Sequence, residues 1–100
     1  MLDIKKERNG GELVVYLDGE LDTGTAPKLL KELEGEYAGV EKLVFEASKL
    51  TYISSAGLRA ILTAMQSLDD EDAPGVIRNV TEGVKDILRA TGFDKVLDFE

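Results

Sequence analysis

Apolar and polar positions along this chain change period several times, and each change marks an element. Leu2 to Glu7 is the first strand candidate, ended by the turn signal Asn9-Gly10-Gly11. The next run, Leu13-Val14-Val15-Tyr16-Leu17, is apolar without clean alternation, as suits a strand covered on both faces. Two strands across a short glycine turn read as a hairpin. Asp22-Thr23-Gly24-Thr25 then offers capping chemistry ahead of Ala26-Pro27, and proline is tolerated in a first helical turn. Ala26, Leu29, Leu30, Leu33 and Tyr37 follow at helical spacing, with Lys28, Lys31, Glu32 and Glu34 on the other side. This pattern predicts an amphipathic helix of about three turns.

Leu43 to Ala47 is a third strand. A second helix is expected from about Ser55 to Leu68, burying Leu58, Ile61, Leu62, Met65 and Leu68 and leaving Arg59 and Thr63 outside. Asp69-Asp70-Glu71-Asp72 ends it as a solvated acidic loop. Val76-Ile77 is a short fourth strand, Thr81 can cap a third helix carrying Val84, Ile87 and Leu88, and Gly92 closes that helix. Val96-Leu97-Asp98-Phe99 can add a last short strand. Tyr16, Phe45, Tyr52 and Phe93 read as core residues. Strands and helices alternating after an opening hairpin imply an α/β fold with a mixed sheet of four to five strands and three main helices.

Composition narrows the function. One hundred residues suit one compact domain spanning 1–100, and Met1 with the compact layout leads us to expect a stand-alone module. No apolar run approaches the ~18 residues of a membrane span, and the charged start is not that of a secretory signal. The absence of Cys removes disulfides, thiolate chemistry and most zinc sites, and the absence of His removes the commonest general base and metal ligand. A net charge of −8 argues against nucleic acid or anionic lipid as partner. We therefore expect a cytoplasmic binding module with no catalytic residue, cofactor, metal or membrane insertion.

The chemistry concentrates at Ser54-Ser55-Ala56-Gly57, where a loop after the third strand turns into the second helix. Ligand sites in α/β sheets lie at strand C-terminal ends, and a helix start presents free N–H groups and a positive dipole end. On local chemistry alone, Ser55 could equally be a simple N-cap and Gly57 a packing residue, and Asp22 a cap for the first helix shared with Thr23 and Thr25.

Four segments together resemble the STAS domain of anti-sigma factor antagonists: Gly19-Glu20-Leu21-Asp22, Tyr52-Ile53-Ser54-Ser55-Ala56-Gly57-Leu58, Ile77-Arg78-Asn79-Val80, and Thr91-Gly92-Phe93-Asp94. They occur in the family's order across essentially the whole chain. The resemblance implies a module whose unmodified form captures an anti-sigma factor that is also a serine kinase. Phosphorylation by that partner loosens the complex, and a serine phosphatase resets it. By position the phosphoacceptor is Ser55, with Ser54 as rival, and Asp22 matches the acidic residue across from it. Asp22, Thr23, Ser54, Ser55, Ala56, Gly57 and Arg59 form the implied partner surface. The chain departs from the family pattern in having Ser54 where Asp often precedes the acceptor, Ala56 where Ser or Thr commonly follows it, and Glu46 where the strand often carries Asp. Two other functions compete: a STAS contact subunit of a lipid-transport or stress-signalling complex without a phospho-switch, and a small-molecule binder using the apolar interior.

Overall fold

The computed structural model describes residues 1–70 and 72–100. Five strands carry the architecture: β1 (Leu2–Asn9), β2 (Glu12–Leu21), β3 (Lys42–Ile53), β4 (Gly75–Arg78) and β5 (Asp98–Phe99). Between them lie α1 (Ala26–Leu33), α2 (Ser55–Gln66) and α3 (Glu82–Thr91), with a 3-10 turn at Phe93–Lys95. The strands stand in chain order across one sheet, β1 antiparallel to β2 and every later neighbour parallel. This is the mixed sheet expected from the sequence. Among the described residues no helix is long and apolar enough to cross a membrane.

One face of the sheet holds the main core. Leu13, Val15 and Leu17 of β2 and Leu43, Phe45 and Ala47 of β3 pack with Leu29 and Leu33 of α1, Leu58 and Ile61 of α2, and Val84 and Leu88 of α3. The opposite face carries a separate row, Val14, Val44 and Val76, to which no helix contributes among the described residues. These valines are nonetheless buried. Neighbouring long side chains close around them: Glu100 pairs with Arg78 and Lys42, each at 2.6 Å, and their aliphatic stems shield apolar surface while the charges stay wet. The double-sided burial read from the run Leu13 to Leu17 is thus met on one face by helices and on the other by charged residues. Tyr16 points to that helix-free face and is exposed, and Tyr52 is exposed too; both depart from the core role expected of them. Phe45 is buried and Phe93 packs half-buried against the core.

Strand β5 keeps only Asp98 and Phe99 of the expected Val96–Phe99, and β1 and β4 run slightly longer than expected; three larger differences in boundary follow. Helix α1 ends at Leu33, about two turns long, because Glu34 leaves the helical region and Gly35 takes φ +78°. Tyr37 therefore packs on the core from a loop, which Lys6 and Arg8 of edge strand β1 hold through the carbonyls of Glu32, Glu36 and Ala38. Helix α2 stops at Gln66, two residues short of Leu68, although Leu68 is buried as expected. The third difference bears on the site. Strand β3 does not stop at Ala47 but runs to Ile53 beside an equally extended β2. Register shifts between Tyr16 and Asp18 and between Gly19 and Glu20 each leave one extra residue on β3. These bulges convert the buried spacing from every second residue to every third, at Ala47, Leu50 and Ile53. Asp69, Asp70 and Asp72 are exposed in the acidic stretch, while Glu71 lies outside the described residues. The two long strands end together at the pair Leu21 and Ile53, so the segments that follow them meet at one corner of the sheet.

Candidate functional site

At that corner α2 begins with no intervening loop. Ile53 ends β3 and Ser54, in extended conformation, is the N-cap of α2. Its hydroxyl oxygen accepts from the Gly57 N–H at 3.2 Å, and its carbonyl accepts the first helical bond from Leu58 at 2.9 Å. The Ser54 N–H donates to the Leu21 carbonyl at 2.9 Å, tying the helix start to the end of β2. The capping role open to Ser55 in the sequence is therefore taken by Ser54. Ser55 is the first helical residue; it is exposed, and among the described residues its hydroxyl makes no hydrogen bond. Helix starts leave their first N–H groups without intrahelical partners, and among the described residues those of Ser55 and Ala56 are the pair still open here.

Gly57 is a packing residue, as its alternative reading held, and it also sets the geometry. A Cβ on it would lie 2.5 Å from the Leu21 carbonyl oxygen and 2.8 Å from the Leu21 Cγ. Only the missing side chain lets α2 seat against the end of β2 with the Ser54–Leu21 bond intact.

Asp22 follows Leu21 as Ser54 follows Ile53, so the two sit on neighbouring chain ends. Its Oδ1 accepts from the N–H groups of Gly24 and Thr25, both at 3.0 Å, closing an Asx-type turn. The Thr25 hydroxyl accepts from the Asp22 N–H at 2.8 Å and donates to the Glu20 carbonyl at 2.8 Å. Bonding from the Thr25 N–H, then its hydroxyl and the Gly24 N–H, holds the Asp22 carboxyl below the usual carboxylate range against a smaller opposing effect of desolvation. The N-cap position of α1 belongs to Thr25, without a side-chain cap bond, so Asp22 shapes the entry turn rather than capping the helix. Thr25, expected to share in capping α1, occupies the N-cap position but uses its side chain to close the Asp22 turn instead.

Thr23, Ala56 and Arg59 line a shallow groove of about 290 Å³ between α1 and α2, together with Ala26, Pro27, Leu30, Ala60 and Thr63. The structure thus gathers Asp22, Thr23, Ser54, Ala56, Gly57 and Arg59 around or beside one helix start, with Ser55 exposed at its rim. Leu30, placed by its spacing in the buried stripe of α1, is only half buried and forms part of this groove wall. Glu46 belongs elsewhere: on the helix-free face it accepts from the Ser48 N–H at 3.0 Å and the Asn79 amide at 2.7 Å. Among the described residues no group of His, Cys, Asp and Glu is arranged to hold a metal.

Several known proteins are similar to this chain in sequence or in fold. A 27% identical relative from Bordetella bronchiseptica is called the putative anti-sigma factor antagonist BtrV, matching 92% of this chain and 80% of its own length. The anti-sigma-B factor antagonist of Listeria monocytogenes is 26% identical over 95% of this chain and 84% of its own. Among solved structures, an anti-sigma factor antagonist from Mycobacterium paratuberculosis superposes with a TM-score of 0.85 at 23% identity, covering 99% of this chain and 85% of that one. The unphosphorylated form of SpoIIAA gives a TM-score of 0.80 at 17% identity, covering 98% and 88% respectively. At these identities the structures establish a common fold. The model of the STAS domain matches residues 3–100, which takes in the hairpin, the Asp22 turn and the Ser54 helix start, and the chain belongs to the STAS-domain family.

Proposed function

We propose that this chain is a cytoplasmic anti-sigma factor antagonist, and that Ser55 is the site at which an anti-sigma factor with serine kinase activity switches it off. The observation that carries the reading is the division of labour between adjacent serines. Ser54 spends its hydroxyl on capping α2, whereas the Ser55 hydroxyl is exposed at the first helical position and, among the described residues, unbonded. Relatives named as anti-sigma factor antagonists support the partner class.

In the unmodified protein the groove between α1 and α2, edged by Arg59 and the Asp22 turn, presents the contact surface. The kinase transfers the terminal phosphoryl group of ATP to the Ser55 oxygen, releasing ADP and the hydroxyl proton. The product carries about −1.5 to −2 added charges. The positive end of α2 accommodates that charge within the domain. Across an interface the effect is opposite, because the added charge must be brought against a partner surface that fitted a neutral hydroxyl and meets any like charge there. Unit charges ~6 Å apart at an effective dielectric of ~20 repel by roughly 3 kcal/mol. Such a penalty at an interface weakens binding about 150-fold. The domain stays folded and the partner leaves, until a serine phosphatase hydrolyses the ester.

Incubation with the cognate kinase, the anti-sigma factor itself, and ATP, followed by mass spectrometry, tests the residue assignment. Phosphate is expected on Ser55; phosphate on Ser54 alone refutes it. Partner affinity of Ser55→Ala is expected to match the unmodified protein, and that of Ser55→Asp to be weaker. Equal affinities for the two variants overturn the switch.

A further inference from the structure

Arg59 stands one helical turn after Ser55. It is exposed, and among the described residues it forms neither an ion pair nor a hydrogen bond. Residues four apart on a helix face one another, with Cβ atoms ~6 Å apart. Helical side chains lean toward the N-terminus, so a long side chain at position 59 covers the turn that starts at Ser55. The groove contacts agree, since Arg59 shares its wall with Ala56 and Thr23, both close to the helix start. An acid four residues N-terminal to a base is also the favourable order for such a pair on a helix.

We propose that Arg59 is an internal clamp for phosphate on Ser55, drawing the phosphate onto the face of α2 and tying up the guanidinium that lines the α1–α2 groove in the unmodified protein. The inference rests on Ser55 being the modified residue and adds how the modified state is held. A guanidinium suits the role, because it offers several N–H donors in a planar fork that matches two phosphate oxygens and stays charged throughout the pH range. Two features of the chain reinforce it. Ser54 caps α2 with a hydroxyl and adds no negative charge beside the phosphate. Asp22, the acidic group on the adjoining turn, is engaged at Oδ1 by the Gly24 and Thr25 N–H groups. Phosphorylation on this account does two things to the partner surface: it adds negative charge at Ser55 and withdraws a positive one at Arg59.

The test uses the full chain with phosphoserine installed at position 55 by semisynthesis, so that no kinase is required. Phosphorus NMR follows the second ionisation of the phosphate, near pH ~6 in a free phosphoserine. Arg59→Gln is expected to raise that pKa by about 0.3–0.5, a two- to threefold gain in proton affinity. Arg59→Lys is expected to keep more than half of the depression. The difference between the wild-type chain and Arg59→Gln is expected to shrink in ~1 M NaCl, where the screening length falls to about 3 Å. Identical phosphate pKa values in the wild-type and Arg59→Gln chains at low salt overturn the clamp, as does a difference that salt leaves unchanged. Amide spectra of both phosphorylated chains confirm that the fold is common to them. A clamp that fails this test leaves the kinase assignment of Ser55 intact, and a kinase that ignores Ser55 leaves the titration result intact.

Discussion

Replacing Gly57 by Ala tests the geometry of the site more sharply than any change to a serine. Helix propensity alone favours the substitution by about 1 kcal/mol, because alanine loses less backbone entropy than glycine in a helix. The packing opposes it. The new methyl would sit 2.5 Å from the Leu21 oxygen, 2.8 Å from the Leu21 Cγ and 3.1 Å from Ile53 Cγ1. The nearest of these is a backbone atom at the paired end of β2, and it also accepts the Ser54 N–H at 2.9 Å, so it cannot swing aside as a flexible side chain can. Inserting a methyl into such a contact costs roughly 1–3 kcal/mol. Lengthening the Ser54–Leu21 hydrogen bond adds about 0.5–1.5 kcal/mol. After subtraction of the propensity gain, Gly57→Ala should be destabilised by about 2 kcal/mol. In a domain of this size that lowers the melting temperature by roughly 8–16 °C.

Gly83 supplies the control. It lies in the first turn of α3 with nothing within 4 Å of its added Cβ and no left-handed backbone angle, so Gly83→Ala should gain about 0.5–1 kcal/mol. Urea unfolding monitored by circular dichroism gives both values under one condition. If Gly57→Ala proves as stable as the wild type, or moves with Gly83→Ala, the close seating of α2 on the end of β2 is wrong.

The two serines should separate in the same assay: Ser54→Ala loses the side-chain cap of α2 and about 1 kcal/mol of stability, whereas Ser55→Ala should stay within ~0.5 kcal/mol of wild type. Equal losses would mean that both hydroxyls are engaged. Acid stability should depend on Asp22 and Glu100, whose carboxyls are held below their ordinary values, Asp22 chiefly by the Thr25 N–H and Glu100 chiefly by Lys42 and then Arg78. For a depressed carboxyl the contribution is complete above the unfolded pKa, ~3.9 for Asp and ~4.3 for Glu, and is lost as pH falls through the lower folded value. Urea midpoints should therefore drop below about pH 4, and Asp22→Asn and Glu100→Gln should each flatten that decline; unchanged slopes in both would show that neither carboxyl carries it.

The order and type of the elements were legible in the sequence because each follows from local pattern. The glycine turn after Asn9, the proline after Ala26, the Thr81 cap and the Gly92 stop all act within a few residues, and each stands where it was read. The serine run was legible for the same reason, since a helix start needs a short polar side chain. Which serine caps and which stays free was not legible. Both satisfy the local requirement, and the choice depends on where α2 starts relative to Leu21.

That position is a tertiary matter. Two bulges in β3 shift the buried residues to Ala47, Leu50 and Ile53, so the alternation that marks a strand disappears although the strand continues. The extension carries the chain six residues beyond Ala47 and ends it beside Leu21, with Asp22 adjacent. Sequence pattern reports which side chains are buried only while pairing is regular. It carries no record of a partner strand some thirty residues away against which β3 bulges out two extra residues. The sequence by itself therefore determined the α/β plan and the short segment where chemistry is possible. The tertiary structure alone decided that Ser54 closes the helix, that Ser55 faces solvent, and that Gly57 must lack a side chain, because all three depend on how closely α2 seats against the end of β2.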